Sequence, residues 1–195
     1  MWKLLVWKLL LNKNNDNYLW QKMKGGNQDA LSELFRNHYH TLYDHGVKFC
    51  HREELVKDCI QDVFIYIWEK RKNLSDAVSV RAYLLASTRR RLLKMLKELH
   101  QKENRDYQIS IISEENVMSA EDIIASEENE FDKKQLLKKI LKKIPARMRE
   151  ALYLKTFDGL SYREISQIMN ISPQVARNYI SEAFRRIREI TAKQI

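Results

Sequence analysis

The chain has 195 residues, with 35 lysines and arginines against 26 aspartates and glutamates, so its formal net charge is +9 at pH 7. It contains only four glycines and two prolines, and because tight β turns depend on such residues, the composition favours an all-helical protein. This length allows one or two domains, and the positive charge favours a polyanionic partner such as nucleic acid.

Motifs for catalysis or for a bound cofactor are missing from the sequence. Cys50 and Cys59 do not form a metal box or a disulfide framework, and they suit a reducing cytoplasm. The five histidines lack ligand spacing with these cysteines, and Gly-rich phosphate loops, nucleophile elbows and H-E-x-x-H pairs are absent. We therefore expect no metal, no cofactor and no small-molecule substrate, and nothing in the sequence supports an enzyme.

Residues 1–15 form a separate N-terminal extension that begins with the apolar run MWKLLVWKLLLNK. This run is too short to cross a bilayer, which takes about 20 apolar residues. A signal peptide is disfavoured, because Lys8 interrupts the run and no small-residue cleavage site follows. An upstream extension from a mis-assigned start codon and a packed amphipathic appendage are the favoured interpretations, with membrane association a lesser alternative.

Residues 16–99 are predicted to form a first helical domain. Asp16 or Asn17 is the expected cap of a helix that stops at Gly25-Gly26, and Asn27 is the expected cap of a longer helix that ends near Cys50. The following segment, 52–72, has a wide apolar face, with acidic and polar side chains pointing away from it. A catalytic pair of carboxylates on that helix is disfavoured, because the sequence offers neither a pocket nor a base partner.

A basic helix is predicted after the loop 73–80, from Val80 to about Leu99. No acidic residue occurs between Asp76 and Glu98. Because like charges on one helix repel each other, this pattern favours an anionic partner over an ordinary solvated face. The cations of the segment are Arg81, Arg89, Arg90, Arg91, Lys94 and Lys97.

Residues 100–131 are predicted to be an acidic linker, because hydrophobic periodicity is weak and neither Lys nor Arg follows Arg105 there. Residues 132–195 then predict a second domain of about four helices. The first of these helices covers 132–144, and Pro145 is expected to start the second. The fold class predicted for the whole chain is therefore all-α, with two small helical domains joined by an acidic linker.

The segment from Leu160 to Arg188 predicts two helices around a tight turn. Ser161 and Glu164 form a capping box, and Asn170 suits the turn before the second helix. The predicted core side of that helix consists of Ala176, Ile180, Ala183, Phe184 and Ile187. The opposite side carries no carboxylate and consists of Gln174, Arg177, Asn178, Ser181, Arg185 and Arg188. Such side chains read base edges and hold phosphates, which favours a DNA-binding helix-turn-helix over a solvated helical hairpin.

The order of these features resembles the bacterial RNA polymerase sigma factors of the extracytoplasmic-function type, from about Tyr18 to Glu189. The resemblance is carried by KDCIQDVFIYIWEKR, by the basic helix SVRAYLLASTRRRLLKML and, after the acidic linker, by KKIPARMREALYLKTFDGLSYREISQIMNISPQVARNYISEAFRRIRE. It implies a non-catalytic, cytoplasmic subunit that directs RNA polymerase to promoters. In that family the first domain melts the −10 element and the second recognises the −35 element.

The resemblance also implies a role for particular residues. Core polymerase binding, through the clamp helices of the largest subunit, matches Asp58, Gln61, Asp62 and Phe64. Binding of the −10 element matches Arg81, Tyr83, Arg89, Arg90, Arg91 and Lys94, together with the loop 73–80. Binding of the −35 element matches Gln174, Arg177, Asn178, Ser181 and Arg185, with Arg163 on a phosphate. The implied partners are core polymerase (clamp helices and flap), promoter DNA and an anti-sigma factor.

A stand-alone helix-turn-helix activator, whose N-terminal domain senses a ligand or dimerises, is the alternative. A sensor domain should offer a pocket, whereas residues 16–99 offer a polar docking helix and a basic helix. The sequence also departs from the family at two places. Residues 174–177 are Gln-Val-Ala-Arg where the family often has Gly-Thr-Val-Lys, and Arg90 stands where an asparagine is common.

Overall fold

The computed structural model describes residues 15–77, 79–103 and 139–192. All regular structure in these residues is helical, which confirms the predicted all-α fold class. Most of the predicted N-terminal extension lies outside the described residues. Residues 104–131 of the predicted linker, and the first part of the helix predicted at 132–144, also lie outside them.

The chain divides into two compact units. The first takes the described residues up to Gly46 and from Arg52 to Met95, and the second takes Val47–His51 and the described residues from Leu96 onward. In chain order the helices are α1 at residues 15–24, α2 (Gln28–Cys50), α3 (Glu53–Lys70) and α4 (Val80–Glu103), with a 3₁₀ turn at Arg71–Asn73. A helical turn at 139–142 is followed by α5 (Ala146–Thr156), α6 (Tyr162–Met169) and α7 (Pro173–Ala192).

Side-chain caps fix the starts of two helices in the first unit, and both helices begin where the sequence predicted. The Ala30 amide donates to Asn27 Oδ1 at 2.8 Å, and the Ala82 amide donates to Ser79 Oγ at 3.3 Å. Each bond satisfies a donor that the first turn of a helix leaves without a partner. At the end of α1, Gly26 adopts a left-handed conformation with φ of 94°.

The predicted cap of α1 is wrong. Residue 15 is already helical, so Asp16 lies inside the helix instead of before it. The Asp16 carboxylate is buried, and its Oδ2 atom lies 3.1 Å from Nε2 of the buried His38. This contact joins α1 to α2.

The core of the first unit is formed by apolar faces of all four of its helices. Its largest fully buried side chains are Trp20, Met23, Leu34, Leu42, Ile60, Ile67, Leu84, Leu85 and Leu92. Two helices approach closely at Gly46 of α2, where an added Cβ would lie 2.6 Å from Val56 Cγ1. This contact requires the absence of a side chain at position 46.

The core of the second unit packs α5, α6 and α7 together. Its buried side chains include Ile144, Leu154, Leu160, Ile165, Ile168, Met169, Ala176, Ile180 and Ala183. The buried guanidinium of Arg149 closes the preceding helical turn, since its Nη1 donates to the carbonyls of Leu141 and Ile144 at 3.2 and 2.9 Å. Two details differ from the prediction: Pro145 is the N-cap of α5 instead of its first residue, and Phe184 is 40% exposed.

Within residues 15–77, 79–103 and 139–192, no helix has both the length and the apolar character needed to cross a bilayer.

Candidate nucleic-acid interface

The helix-turn-helix of the second unit has the local geometry that its sequence predicts. Ser161 Oγ accepts a bond from the Glu164 amide at 3.3 Å, and the Ser161 amide donates to Glu164 Oε2 at 2.9 Å, which completes the capping box. Asn170 takes the left-handed conformation in the turn, with φ of 53°. Ser172 Oγ then accepts from the Val175 amide at 3.2 Å, at the start of α7. These bonds define the start of α6, and the Ser172 cap defines the start of α7.

The outer face of α7 exposes the polar side chains that were predicted to meet DNA. Gln174, Arg177, Asn178, Ser181 and Arg185 are all exposed, whereas Ala176, Ile180 and Ala183 are buried against the unit. Gln174 Nε2 donates to Asn178 Oδ1 at 2.9 Å, so these two amides share one patch of the helix. Arg163, the predicted phosphate contact, is exposed on α6.

Two residues that the sequence prediction left without a role lie beside Arg177. The Arg177 guanidinium lies over the Tyr162 ring at 5.3 Å from the centroid. The Lys155 ammonium lies over the same ring at 4.9 Å. One aromatic side chain therefore holds a cation from α5 and a cation from α7.

Arg185 is held by carboxylates, although the face of α7 predicted to meet DNA was described as carrying none. Its Nε and Nη2 donate to Glu182 at 2.8 and 2.7 Å, its Nη1 donates to Glu189, and Arg186 Nε also donates to Glu182 at 2.8 Å. The bonds from Arg185 and Arg186 lower the pKa of Glu182 from 4.5 to about 2. Glu182 in turn raises the pKa of Arg185. Two carboxylates thus offset two arginines at this end of the helix.

On α3, three of the four predicted polymerase-binding residues reach the surface. Asp58 and Gln61 are exposed, and the Asp62 side chain is 42% exposed. Phe64 is only 6% exposed and packs edge to face on Phe35, with 5.1 Å between ring centroids. Phe64 therefore supports this surface from beneath instead of forming part of it.

An ion pair joins the polar face of α3 to the basic helix α4. Arg91 Nη2 and Nε donate to Asp62 Oδ2 at 2.6 and 3.0 Å. Asp62 was predicted to contact polymerase and Arg91 to contact DNA. The structure therefore brings the two predicted surfaces of the first unit into direct contact.

The cations of α4 differ in their access to solvent. Arg90 and Lys94 are exposed, and Arg81 and Arg91 are half-buried. Arg89 is only 4% exposed, because its position in the helix lies in phase with the buried Leu85 and Leu92. The prediction that Arg89 contacts DNA is corrected on this ground.

Tyr83, the aromatic side chain of the predicted −10 set, is half-buried at the edge of the core. Its ring meets the Trp20 ring edge to face at 5.1 Å between centroids. Burial raises the pKa of its hydroxyl.

An open groove of about 700 Å³ runs along the contact between α3 and α4. It is lined by Asp62, Val63, Ile65, Tyr66, Glu69, Tyr83, Ser87, Arg90, Arg91 and Lys94. Ile65 and Tyr66 are 48% and 55% exposed, and the sequence prediction gave neither a binding role. The groove therefore combines apolar and aromatic surface with exposed cations.

Comparison with known families decides what these two units are. Residues 34–101 match the family model for sigma-70 region 2, and residues 134–187 match the model for sigma-70 region 4. The chain belongs to the sigma-70 family, as an RNA polymerase sigma factor of the extracytoplasmic-function type. The two matches fall on the groove-bearing helices and on the helix-turn-helix, respectively.

One relative by sequence and one solved structure are similar to this chain. The RNA polymerase sigma factor SigZ of Bacillus subtilis (strain 168) is 25% identical to this sigma factor over 168 residues, which cover 84% of this chain and 86% of SigZ. The structure of CnrH in complex with the cytosolic domain of CnrY matches with a TM-score of 0.60 and 18% identity, covering 93% of this chain and 99% of that one.

A second solved structure has the same fold. It is the sigma factor RpoE in complex with the anti-sigma factor NepR from Bartonella quintana, with a TM-score of 0.56 and 16% identity. The match covers 83% of this chain and 96% of that one.

Proposed function

We propose that this sigma factor binds core RNA polymerase and places it at promoters by holding the −10 element with its first unit and the −35 element with its second. The observation that carries the proposal is the α3–α4 groove, where exposed aromatic and apolar side chains stand beside Arg90, Arg91 and Lys94. An unpaired strand requires both features, because its bases stack on aromatic rings and its phosphates need cations. A stand-alone helix-turn-helix activator would not require such a groove in its N-terminal unit.

For the −35 element, the proposal places α7 in the major groove of duplex DNA. Gln174, Arg177, Asn178 and Ser181 meet the base edges, and Arg163 meets a phosphate. Arg and the amide side chains form the bidentate contacts that distinguish one base pair from another, each worth about 1–3 kcal/mol. Arg185 adds less net charge than the sequence suggested, because Glu182 and Glu189 bind it.

For the −10 element, the proposal assigns backbone contacts to Arg81, Arg90, Arg91 and Lys94, and base contacts to Tyr83. Tyr66 joins this set, since its ring is 55% exposed on the opposite wall of the groove. Each stacked base contributes about 1–3 kcal/mol in proteins that hold single strands. Arg89 is left out of the set, because it is buried.

For core polymerase, the docking surface is Asp58, Gln61 and Asp62 on α3, supported from beneath by Phe64. Carboxylates on this surface fit a basic partner such as the clamp helices, and the second unit is assigned to the flap. An anti-sigma factor that covers these surfaces is a further proposed partner, in line with the complexes described for RpoE and CnrH. In this proposal the protein acts in the cytoplasm, without catalysis, cofactor or small-molecule substrate.

The test is transcription in vitro with the purified full chain, core polymerase and a genomic DNA library, with start sites mapped. The expected result is a set of start sites with shared −10 and −35 sequences at fixed spacing, absent when core polymerase is used alone. Specific promoter binding by the chain without polymerase, and no transcripts with it, would support the stand-alone activator instead. The mapped promoters also supply the DNA for the experiments below.

A further inference from the structure

The Tyr162 side chain is held at the start of α6 in the second unit. Tyr162 is the first residue of α6 and follows the N-cap Ser161, whose capping box with Glu164 holds that end of the helix. Within the described residues its hydroxyl has no hydrogen-bond partner, whereas its ring contacts two cations. Its polar interactions are therefore made by the face of the aromatic ring.

The two cations reach the ring from different helices. Lys155 comes from the last turn of α5, and its Nζ also donates to the Leu160 carbonyl at 3.2 Å. Arg177 comes from the first half of α7, and its guanidinium is 5.3 Å from the ring centroid. Because the face of an aromatic ring carries negative charge, it attracts both groups and restricts the directions in which they point.

Arg177 and Arg185 lie on the same helix but are held in different ways. Arg185 is bound by the carboxylates of Glu182 and Glu189, which compete with DNA for its donors. Among the described residues, Arg177 has no carboxylate at ion-pair distance, and its contact with Tyr162 leaves its N–H donors unused. An arginine that is oriented and still has free donors is prepared for a bidentate contact with a base.

We infer that Tyr162 is a positioning residue for promoter recognition: it orients Arg177 toward one base pair of the −35 element and holds Lys155 beside it as a phosphate contact. The inference rests on the proposed function of α7. It adds Tyr162 and Lys155 to the proposed −35 interface and gives the two cations different roles. Arg177 then supplies sequence preference, and Lys155 supplies affinity that does not depend on sequence.

The experiment measures binding of the reconstituted polymerase holoenzyme to a mapped promoter and to a set of promoters with single base-pair changes in the −35 element. Arg177→Ala identifies the base pair that Arg177 reads, as the position where the preference is lost. Tyr162→Leu should reduce the preference at that same base pair by about two- to fivefold, which corresponds to an exposed cation–π contact. Tyr162→Phe is the matched control and should retain the preference, because the ring remains.

A second series separates the electrostatic role from packing. Phenylalanines with increasing numbers of ring fluorines, introduced at position 162, keep the shape of the ring but weaken its negative face. The preference at the Arg177 base pair should fall stepwise along the series, while thermal unfolding stays constant. Lys155→Gln should instead weaken all promoters alike and reduce the salt dependence of binding by about one phosphate contact.

The outcomes separate this inference from the proposed function. If Arg177→Ala keeps every preference, both the −35 contact and the inference fail. If Arg177→Ala loses a preference that Tyr162→Leu and the fluorinated series retain, the inference fails alone. An equal loss at all base pairs in the fluorinated series would also overturn it, because the ring would then support the unit and not one contact.

Discussion

Glu182 offsets part of the positive charge on the outer face of α7, because it binds two arginines. It accepts hydrogen bonds from both Arg185 and Arg186, at i,i+3 and i,i+4. Those spacings are visible in the sequence, but each arginine could also extend toward a phosphate. The choice depends on the conformation of long side chains, which periodicity does not specify. The sequence therefore predicted which cations of α7 are exposed, but it could not predict how far neighbouring carboxylates offset their charge.

The first prediction concerns the titration of Glu182. Since its pKa is lowered from 4.5 to about 2 by Arg185 and Arg186, its ion pairs stabilise the native α7 fully above pH 4.5. That contribution is lost as the pH falls from 4.5 toward 2. The measurement is the carboxyl ¹³C chemical shift of Glu182 against pH, with Arg185→Ala as the comparison, in which the midpoint should move up toward 4.5. A wild-type midpoint already near 4.5 would contradict these contacts.

Arg89 and His38 are polar side chains that lie on buried helix faces. Arg89 lies four residues after Leu85 and three before Leu92, and His38 lies midway between Leu34 and Leu42. Helical phase alone places both on buried faces, and both are buried. The prediction that Arg89 meets DNA followed the charge of the segment instead of its phase. The partner of His38, Asp16, depends on tertiary packing and had no signal in the local sequence.

At the scale of elements, the sequence predicted most helix boundaries because the boundary residues act locally. Asn27, Ser79, Ser161 and Ser172 each accept a bond from an amide three residues ahead, as a cap requires. The groove between α3 and α4 had no such signal. It depends on which faces of two distant helices meet, and its exposed Ile65 and Tyr66 become neighbours of Arg90 only in the folded unit.

The second prediction tests the close approach of α2 and α3 at Gly46. Gly46→Ala places a Cβ at 2.6 and 3.2 Å from the two methyl groups of Val56 and at 3.5 Å from Leu92 Cδ1. Alanine favours the helix by about 1 kcal/mol over glycine, but overpacking a core costs about 1–3 kcal/mol. We therefore expect a lower free energy of unfolding, measured by chemical denaturation. Asn37→Ala, at an exposed position of the same helix, is the control and should not lower it.

The sign of the Gly46→Ala result is informative in itself. An increase in stability would mean that α2 and α3 can separate by a few tenths of an ångström without loss elsewhere in the core. The contact with Val56 would then not limit the packing of the first unit.

At the scale of the whole molecule, two units of one chain are proposed to bind separate parts of one promoter complex. Linking two weak contacts in one chain raises the effective concentration of the second once the first has formed. Neither unit then needs high affinity for DNA by itself. In this proposal the first unit selects polymerase, and Asp62 belongs to the proposed docking surface while it also pairs with Arg91.

The third prediction separates those two roles of Asp62. Asp62→Lys should abolish binding to core polymerase and leave the second unit folded, but it also places a cation beside Arg91. The double variant Asp62→Arg with Arg91→Asp restores an ion pair across the groove with its polarity reversed. If the carboxylate at position 62 docks on a basic partner, the double variant should fold as the wild type does and still fail to bind core polymerase.

The measurements for this comparison are thermal unfolding and co-migration with core polymerase on gel filtration, for Asp62→Lys, Arg91→Gln and the double variant. Arg91→Gln leaves Asp62 in place without its partner. Polymerase binding that is retained by Arg91→Gln and lost in the double variant assigns the docking role to Asp62 itself. Binding recovered in the double variant would instead mean that position 62 acts through the groove, because only the ion pair is common to that variant and the wild type.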